Sequence, residues 1–195
     1  MRHIRSLILL LLLACAGSAP SRAHPHIWID AVATLVFADQ KLTEVHIQWT
    51  FDELFSGALR EQFDPNKTGK FDGQALAKLK ADAANGLKEF NWFTHLTIGG
   101  KKVTVAEGKD FSAAIEGDRV VYRFTVPVIP PVDSAATPVT LSLYDQSFYI
   151  DVALAKENPV RIEGASPCKT AIVTDKGNPL YYGMFFPQRI DLRCK

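Results

Sequence analysis

Hydrophobic and polar residues alternate from residue 26 to 38 and again from 42 to 51. A period-two alternation of this length is typical of β-strands that bury one face. The apolar face of the first segment carries Ile27, Ile29, Ala31, Ala33, Leu35 and Phe37. The apolar face of the second carries Val45, Ile47, Trp49 and Phe51. Both segments are therefore predicted to be long, half-buried strands.

The segment between these strands, residues 38–41, is predicted to turn the chain as a β-hairpin. Keeping both apolar sets on one face of the hairpin pairs Leu35 with Val45 and Ala31 with Trp49. A slip of one residue would turn one of the two sets toward water, so this register is strongly preferred.

The periodicity then changes to that of α-helices over residues 52–63 and 73–90. Asp52 is a suitable N-cap for the first helix, because its short carboxylate can accept a hydrogen bond from a free N–H of the first turn. A polar segment, residues 64–72, separates the two helices. We predict a helical hairpin inserted at about residues 52–91.

Short strand-like segments punctuated by turn residues fill the chain from Thr94 onward. They are residues 94–98, 102–106, 111–115, 119–127, 138–144, 147–154, 159–163 and 169–174. Three prolines, Pro127, Pro130 and Pro131, are expected to form a connection outside the sheet, because proline has no N–H for a strand ladder. The predicted fold is mainly β, an antiparallel β-sandwich or open barrel with an inserted helical hairpin.

The composition fits one globular domain: 195 residues, of which 47% are hydrophobic and 22% charged. A formal charge of +1 gives no electrostatic reason to expect nucleic acid binding. We predict a signal peptide at residues 1–23 and a single β-rich domain at 24–195.

The first 23 residues have the layout of a secretory signal: a short basic segment, a leucine-rich run and small residues before the predicted cleavage after Ala23. Cleavage there removes three arginines and no acid, and so takes the formal charge from +1 to −2. The expected location is the periplasm. In an alternative interpretation, Cys15 is the lipidated first residue of a lipoprotein.

No later apolar stretch approaches the roughly 20 residues that a membrane-spanning helix needs, so no transmembrane segment is expected in the mature chain. Two cysteines remain after cleavage, Cys168 and Cys194. An even number of cysteines in an exported protein predicts a disulfide between them.

The predicted mature amino terminus carries His24 and His26 on either side of Pro25. The amine and imidazole of His24 together with the imidazole of His26 would suit a divalent transition metal such as nickel, cobalt, copper or zinc. Pro25 blocks a site built on backbone amide nitrogens, because it has no N–H to lose. Further ligands must then come from elsewhere, and the candidates are His95 and Asp52.

His46 is excluded as a ligand by the predicted hairpin. It lies opposite Thr34. Thr34 is eight residues from His26, which corresponds to about 26 Å along a strand. The alternative to a metal site is a solvated amino terminus, with His26 hydrogen-bonded on the sheet.

The segment between the helices resembles a calcium loop of the EF-hand type. The candidate ligands are Asp64, Asn66, Thr68, the carbonyl of Lys70, and Asp72. The twelfth loop position is Ala75, where such loops need a bidentate glutamate. We therefore expect a vestigial loop that binds no calcium, or binds it only in the millimolar range.

Two aromatic clusters, residues 144–151 and 181–186, could line a pocket or present a partner surface. Packing is the preferred interpretation of both. The common catalytic motifs of hydrolases, phosphate loops and dinucleotide sites do not occur, so the protein is not expected to be an enzyme.

Four motifs together resemble bacterial domain-of-unknown-function family number one thousand and seven. They are residues 24–30 (HPHIWID), 49–53 (WTFDE), 93–96 (FTHL) and 144–145 (YD). The resemblance covers essentially the whole mature chain. It implies an exported accessory protein in transition-metal handling, since family members are often catalogued as the periplasmic component of an uncharacterised ABC-type transport system.

The main functional hypothesis is a periplasmic protein that binds a divalent transition metal and assists an inner-membrane metal permease or ABC-type transporter. One alternative is a docking module of a transporter or envelope complex that uses no metal. A third is a copper-dependent oxidase that uses the amino-terminal chelate.

Overall fold

The computed structural model describes residues 26–105, 107–164 and 167–195. The strands are β1 (Ile27–Ala38), β2 (Lys41–Phe51), β3 (Thr94–Ile98), β4 (Lys101–Val103), β5 (Lys109–Glu116), β6 (Arg119–Val132), β7 (Val139–Leu143), β8 (Ile150–Leu154), β9 (Val160–Glu163), β10 (Cys168–Thr174) and β11 (Gln188–Cys194). The helices are α1 (Glu53–Phe63) and α2 (Gly73–Leu87), with short 3-10 segments at Lys88–Phe93 and Tyr181–Gly183. The predicted signal peptide and His24 lie outside the described residues.

The predicted mainly β fold with a helical hairpin is confirmed, and the described strands form two sheets without closing a barrel. The first sheet has the order β5-β6-β2-β1-β8, with β9 also paired to β1. The second has the order β10-β11-β7-β3-β4. Buried residues of both sheets belong to one core, so the sheets pack against each other as two layers. The chain passes from one sheet to the other more than once.

The first sheet is not purely antiparallel, which corrects the expected topology. Both β8 and β9 run parallel to β1. Strand β8 begins beside the first residues of β1, where the backbone N–H of His26 donates to the carbonyl of Tyr149 at 2.9 Å. After β8 the chain continues along β1 in the same direction, so β9 also pairs with that edge in parallel.

The predicted register of the β1–β2 hairpin is confirmed. Leu35 lies opposite Val45, and Ala31 lies opposite Trp49. The turn at residues 39–40 has φ angles of 49° and 62°, as in the two-residue turns whose twist matches that of the flanking strands. The apolar face of the hairpin is buried, with Ala31 and Val45 at 0% exposure.

A single main hydrophobic core joins both sheets and the helical hairpin. Trp49 is 2% exposed and lies near its centre. Its ring makes an edge contact with Phe124 of β6, with a centroid distance of 4.8 Å, and a tilted contact with Phe93 at 5.9 Å. Because Phe93 leads directly into β3, this cluster connects the first sheet to the second.

Helix α1 is attached to the first sheet by one buried hydroxyl. Ser56 is fully buried, and its Oγ donates to the carbonyl of Phe51 at 3.3 Å. The same Oγ accepts from the N–H of Val120 at 2.9 Å. A buried polar group costs stability unless it is paired, so these two bonds make Ser56 a specific anchor.

Helix α2 ends at Leu87, three residues before the predicted end. The chain continues as a tight segment in which Asn91, Trp92 and Phe93 all have positive φ angles. Such conformations cost about 1–3 kcal/mol per residue when the residue is not glycine. Burial of the two aromatic side chains offsets this cost, since Trp92 is 1% exposed and Phe93 is 4% exposed.

The three prolines predicted to lie outside the sheet belong to β6, so that prediction is wrong. Strand β6 continues to Val132, while its pairing with β5 ends at Thr125. Beyond that point β6 is paired only with β2, and β6 bulges between Pro127, opposite Glu44, and Val132, opposite Leu42, so that Pro130 and Pro131 lie in the bulge. Proline is tolerated there because one side of the strand is an edge.

Each of the eight later segments predicted as strands overlaps a strand of the structure. Strand β11 was not predicted, although its sequence alternates and its inward residues, Ile190 and Leu192, are buried. It lies between β10 and β7 and completes the second sheet. The predicted disulfide is confirmed, with Cys168 directly opposite Cys194 on β10 and β11.

The described helices include none that is long and apolar enough to cross a membrane. The longer of the two hairpin helices has 15 residues and carries two exposed lysines, Lys78 and Lys80.

The disulfide should be a major source of stability for the second sheet. Replacing both Cys168 and Cys194 by serine should lower the free energy of unfolding by about 3.5 kcal/mol, because closing a 26-residue separation restricts the unfolded chain. Urea denaturation of the oxidised protein and the double variant measures the loss. Reducing agent should destabilise the wild type and leave the variant unchanged. An equal response of both proteins would contradict the prediction.

Candidate functional site

The predicted metal ligand His26 lies at the first described position, just before β1. Its backbone N–H donates to Tyr149, and its ring centroid is 4.7 Å from the ring centroid of Tyr149. The side chain is exposed. His26 is therefore held against the body of the protein with its ring accessible to solvent, while its predicted co-ligand His24 lies outside the described residues.

Asp52 lies where the sequence placed it, at the end of β2 and beside the start of β1. One carboxylate oxygen accepts the N–H of Phe55 at 2.9 Å, which makes Asp52 the N-cap of α1. The other oxygen accepts the N–H of Trp28 at 2.9 Å. Both oxygens are thus used in joining the helix to the first strand.

His95 belongs to β3 and lies in a different environment from His26. Its ring stacks flat on Tyr144 at a centroid distance of 3.7 Å, and Nε2 lies 3.0 Å from the carbonyl of the same residue. Burial lowers the pKa of His95, and the positive charge of Lys102 adds to this effect, while the hydrogen bond to Tyr144 opposes it. The neutral imidazole is consequently favoured at physiological pH.

The structure does not bring His26, His95 and Asp52 together. Within residues 26–105, 107–164 and 167–195, no group of three or more His, Cys, Asp or Glu side chains is placed to hold one ion. His95 instead lines a small cavity of about 70 Å³ with Lys102 and Arg189. His46 lies opposite Thr34, as the predicted register requires, and contacts Glu44 at 2.9 Å.

In the segment that resembles a calcium loop, the candidate ligand oxygens accept hydrogen bonds from neighbouring residues of the chain. The carboxylate of Asp64 accepts N–H groups from Thr68 and Gly69, each at 2.8 Å, and the hydroxyl of Thr68 at 2.9 Å. The Thr68 hydroxyl also lies 3.0 Å from the carbonyl oxygen of Lys70. Asp72 accepts the N–H of Ala75 at 2.7 Å and caps α2. Asn66 is exposed in the turn.

These bonds give the loop a structural role that needs no ion. The hydrogen bonds from Thr68 and Gly69 hold the pKa of Asp64 below its ordinary value of 3.8, with the backbone bond from Thr68 as the largest cause. The carboxylate therefore stabilises the turn in its ionised form.

A large apolar cavity lies between the helical hairpin and the inner face of the first sheet. Its volume is about 660 Å³. We call it the aromatic cavity, and its walls include Ile29, Trp49, Phe55, Phe63, Leu87, Tyr122 and Tyr149. Sequence reasoning missed it, because the spacing of these residues predicts only buried faces and not the gap between them.

The first aromatic cluster, residues 144–151, forms a tight turn at one end of this cavity. Asp145 is 3% exposed, and its carboxylate accepts N–H groups from Ser147, Tyr149 and Ile150. It also accepts the hydroxyl of Ser147 at 2.6 Å. This cluster is therefore partly a packed element, as preferred, and partly a cavity wall.

The second aromatic cluster is more exposed than predicted. Phe185 stacks on Phe148 at 4.4 Å, but Tyr182 is 90% exposed and Met184 is 68% exposed. Phe186 is 43% exposed. The preferred interpretation of packing therefore holds only for the inner part of the cluster, where Phe185 and Tyr181 contact Phe148.

A protein family described as "Protein of unknown function (DUF1007)" matches residues 9–182. The chain is also similar to an "Uncharacterized 15.5 kDa protein in trpE 3'region" of Spirochaeta aurantia. The two are 35% identical over 119 residues, which is 61% of this chain and 84% of that protein. An "Uncharacterized protein" of Haemophilus influenzae is 24% identical over 193 residues, covering 89% of this chain and 92% of that protein.

Asp64 should make the stability of the protein depend on pH in the acid range. Its folded-state pKa is lowered, so its contribution is present above the ordinary value of 3.8 and is lost as pH falls through the folded-state value. Asp64→Asn should therefore be less stable than the wild type at pH 7, and the difference should shrink below about pH 4. Urea midpoints measured from pH 7 to pH 2.5 test this.

The matched control is Glu61→Gln, which removes an exposed acid from the neighbouring helix. It should shift the urea midpoint little at any pH. A difference between wild type and Asp64→Asn that stays constant with pH would contradict the role assigned to the carboxylate.

Proposed function

This chain belongs to the DUF1007 family of proteins of unknown function, and we propose that it is an exported periplasmic protein that binds a divalent transition metal at its mature amino terminus. It then delivers or senses that metal for an inner-membrane metal permease or ABC-type transporter. The role is one of binding, without catalysis.

The observation that carries the proposal is the position of His26. Its backbone is tied to Tyr149, its ring contacts that of Tyr149, and its side chain is exposed. A ligand that is held in place before binding loses less conformational entropy when the ion arrives. His26 is thus suited to receive an ion from solvent.

His24 would complete the chelate after cleavage behind Ala23. Two residues span at most about 7 Å of chain, so both imidazoles can reach one ion. With the free amine, three nitrogen donors are then available. A site with three protein ligands keeps a position open, which suits transfer of the ion to a transporter.

We propose fewer metal ligands than the four residues that the sequence suggests. Both oxygens of Asp52 accept backbone N–H groups, and recruiting them would uncap α1. His95 is stacked on Tyr144 and lines a separate cavity. We therefore assign the binding to His24 and His26, with Asp52 orienting the start of β1.

The location and the partner rest on the amino-terminal signal layout and on the family resemblance. A soluble protein released by cleavage after Ala23 would have a free amine on His24. Lipidation at Cys15 would instead anchor the protein and leave His24 within the chain. The mass of the exported protein distinguishes these two products directly.

Substitution of His26 should weaken metal binding. We expect His26→Ala to weaken the affinity of the processed protein for Ni²⁺, Co²⁺, Cu²⁺ or Zn²⁺ by at least about tenfold, since it removes one of three nitrogen donors. Affinity of the wild type should also fall as the pH is lowered, because nitrogen ligands must be deprotonated to bind a metal. Isothermal titration calorimetry with each metal salt measures both effects.

His46→Ala is the matched control, since His46 is also exposed but lies elsewhere on the sheet beside Glu44. It should leave the affinity unchanged. The proposal would be rejected if the processed wild-type protein bound none of the four metals, or if both variants lost affinity equally.

The exposed tip of the second aromatic cluster favours docking without metal as a second candidate function. Tyr182, Met184 and Phe186 expose apolar surface at one turn, and such surfaces often mark contact sites for other proteins. In this case the transporter or an envelope protein would bind the tip directly.

The two candidates predict opposite results in a binding assay with membranes that contain the partner permease. If docking is independent of metal, Tyr182→Ser should weaken membrane association and His26→Ala should leave it unchanged. If the metal mediates the interaction, His26→Ala should abolish it in the presence of the ion. Co-sedimentation of the two variants with these membranes, with and without chelator, separates the two outcomes.

A further inference from the structure

The aromatic cavity has no part in the proposed metal binding, although its size suits a ligand. Its volume of about 660 Å³ lies within the range of roughly 300–1,000 Å³ that is common for small-molecule sites. Three kinds of structure enclose it: the inner face of β1 and β2, both helices of the hairpin, and the turn at residues 145–150. It is therefore a space between elements and not a flat patch on one of them.

Aromatic rings line the cavity from the first sheet, from α1 and from the turn, while the lining residues of α2 are not aromatic. Trp49 and Phe51 belong to the first sheet, Phe55 and Phe63 to α1, and Tyr149 to the turn. Phe90 and Tyr149 are about half exposed, at 51% and 48%, so they stand at the rim. A hydrocarbon chain would gain burial against these rings, while a charged head could stay near the rim.

The charge of the walls has one sign. No Lys, Arg or His is among the described residues that line the cavity, whereas Asp82 and Asp145 both line it. Asp145 is buried and accepts four hydrogen bonds within its own turn. The ion pairs formed by the described residues do not include it.

Asp82 contributes less to the field of the cavity, because it lies on α2, where Lys78 contacts it at 3.0 Å on the exposed side. The Lys78 ammonium also lies 5.9 Å from the ring centroid of Phe63, another wall residue. Burial and the charge of Asp82 together raise the pKa of the Tyr122 hydroxyl, which lines the same cavity. Electron-rich ring faces and the buried carboxylate of Asp145 make the part of the cavity beside the turn favourable for a cation.

We propose that the aromatic cavity binds an amphiphilic cation, that is, a small molecule with a hydrocarbon chain and a quaternary or primary ammonium head. The chain packs against Trp49, Phe51 and Phe55, and the head lies over ring faces near the acidic walls. An anionic amphiphile of the same length would bring its charge toward Asp145, which forms no ion pair with the described residues.

Two glycines allow a matched test of the site. Gly86 lines the cavity from α2, and a Cβ added there would meet no atom within 4 Å. Gly57 of α1 has equally open surroundings but does not line the cavity. Leucine at either position should favour the helix, so both variants should fold, but only Gly86→Leu puts a side chain into the cavity.

The experiment is calorimetric titration of the full processed protein with decyltrimethylammonium, decyl sulfate and decanol, each below its micelle concentration. We expect the cation to bind at one site per chain, at least about tenfold tighter than the other two compounds. Gly86→Leu should weaken cation binding by about tenfold or more, and Gly57→Leu should bind like the wild type.

Equal or tighter binding of decyl sulfate or decanol would overturn the proposal, as would unchanged binding to Gly86→Leu. Sedimentation velocity tests a different occupant. If the wild type self-associates and Gly86→Leu does not, a second copy of the chain covers the cavity, and the proposal is wrong. The metal titration is a separate measurement on His26 and the free amine, so either proposal can fail while the other holds.

Discussion

Burial of one face of the β1–β2 hairpin is the constraint on which the rest of the structure depends. The register that pairs Ala31 with Trp49 points all the large apolar residues of both strands to the same side. A slip by one residue would reverse that direction for a whole strand. The second sheet and the helical hairpin both pack on this face, and Trp49 with Phe93 joins the layers at the centre.

The acidic residues that look like ligands in the sequence mostly hold the backbone together. Asp52 and Asp64 each accept two backbone N–H groups where the chain leaves a regular element, and Asp145, which the sequence did not suggest as a ligand, accepts three. These N–H groups have no partner in a helix or strand ladder, so a short carboxylate satisfies them. The same chemistry that makes aspartate a metal ligand thus makes it a cap, and only the local geometry separates the two roles.

The cavity lies between the helical hairpin and the inner face of the first sheet. Both helices line it, and aromatic rings of α1, of Phe93 and of the first sheet meet there. Large rings pack against one another without filling the space between a helix pair and a twisted sheet. Its acidic and aromatic walls come from segments far apart in the chain, and the ring of Tyr149 at its rim contacts the exposed His26.

The sequence alone determined the alternating strands, the hairpin register, the two helices and the disulfide, because each depends on periodicity or on a pair of residues. The tertiary structure decided which strands became neighbours, since pairing partners such as β1 and β8 are set by crossings between sheets. It also separated His95 from His26 and created the aromatic cavity. Distances between remote segments depend on how layers pack, and no local pattern of residues encodes that packing.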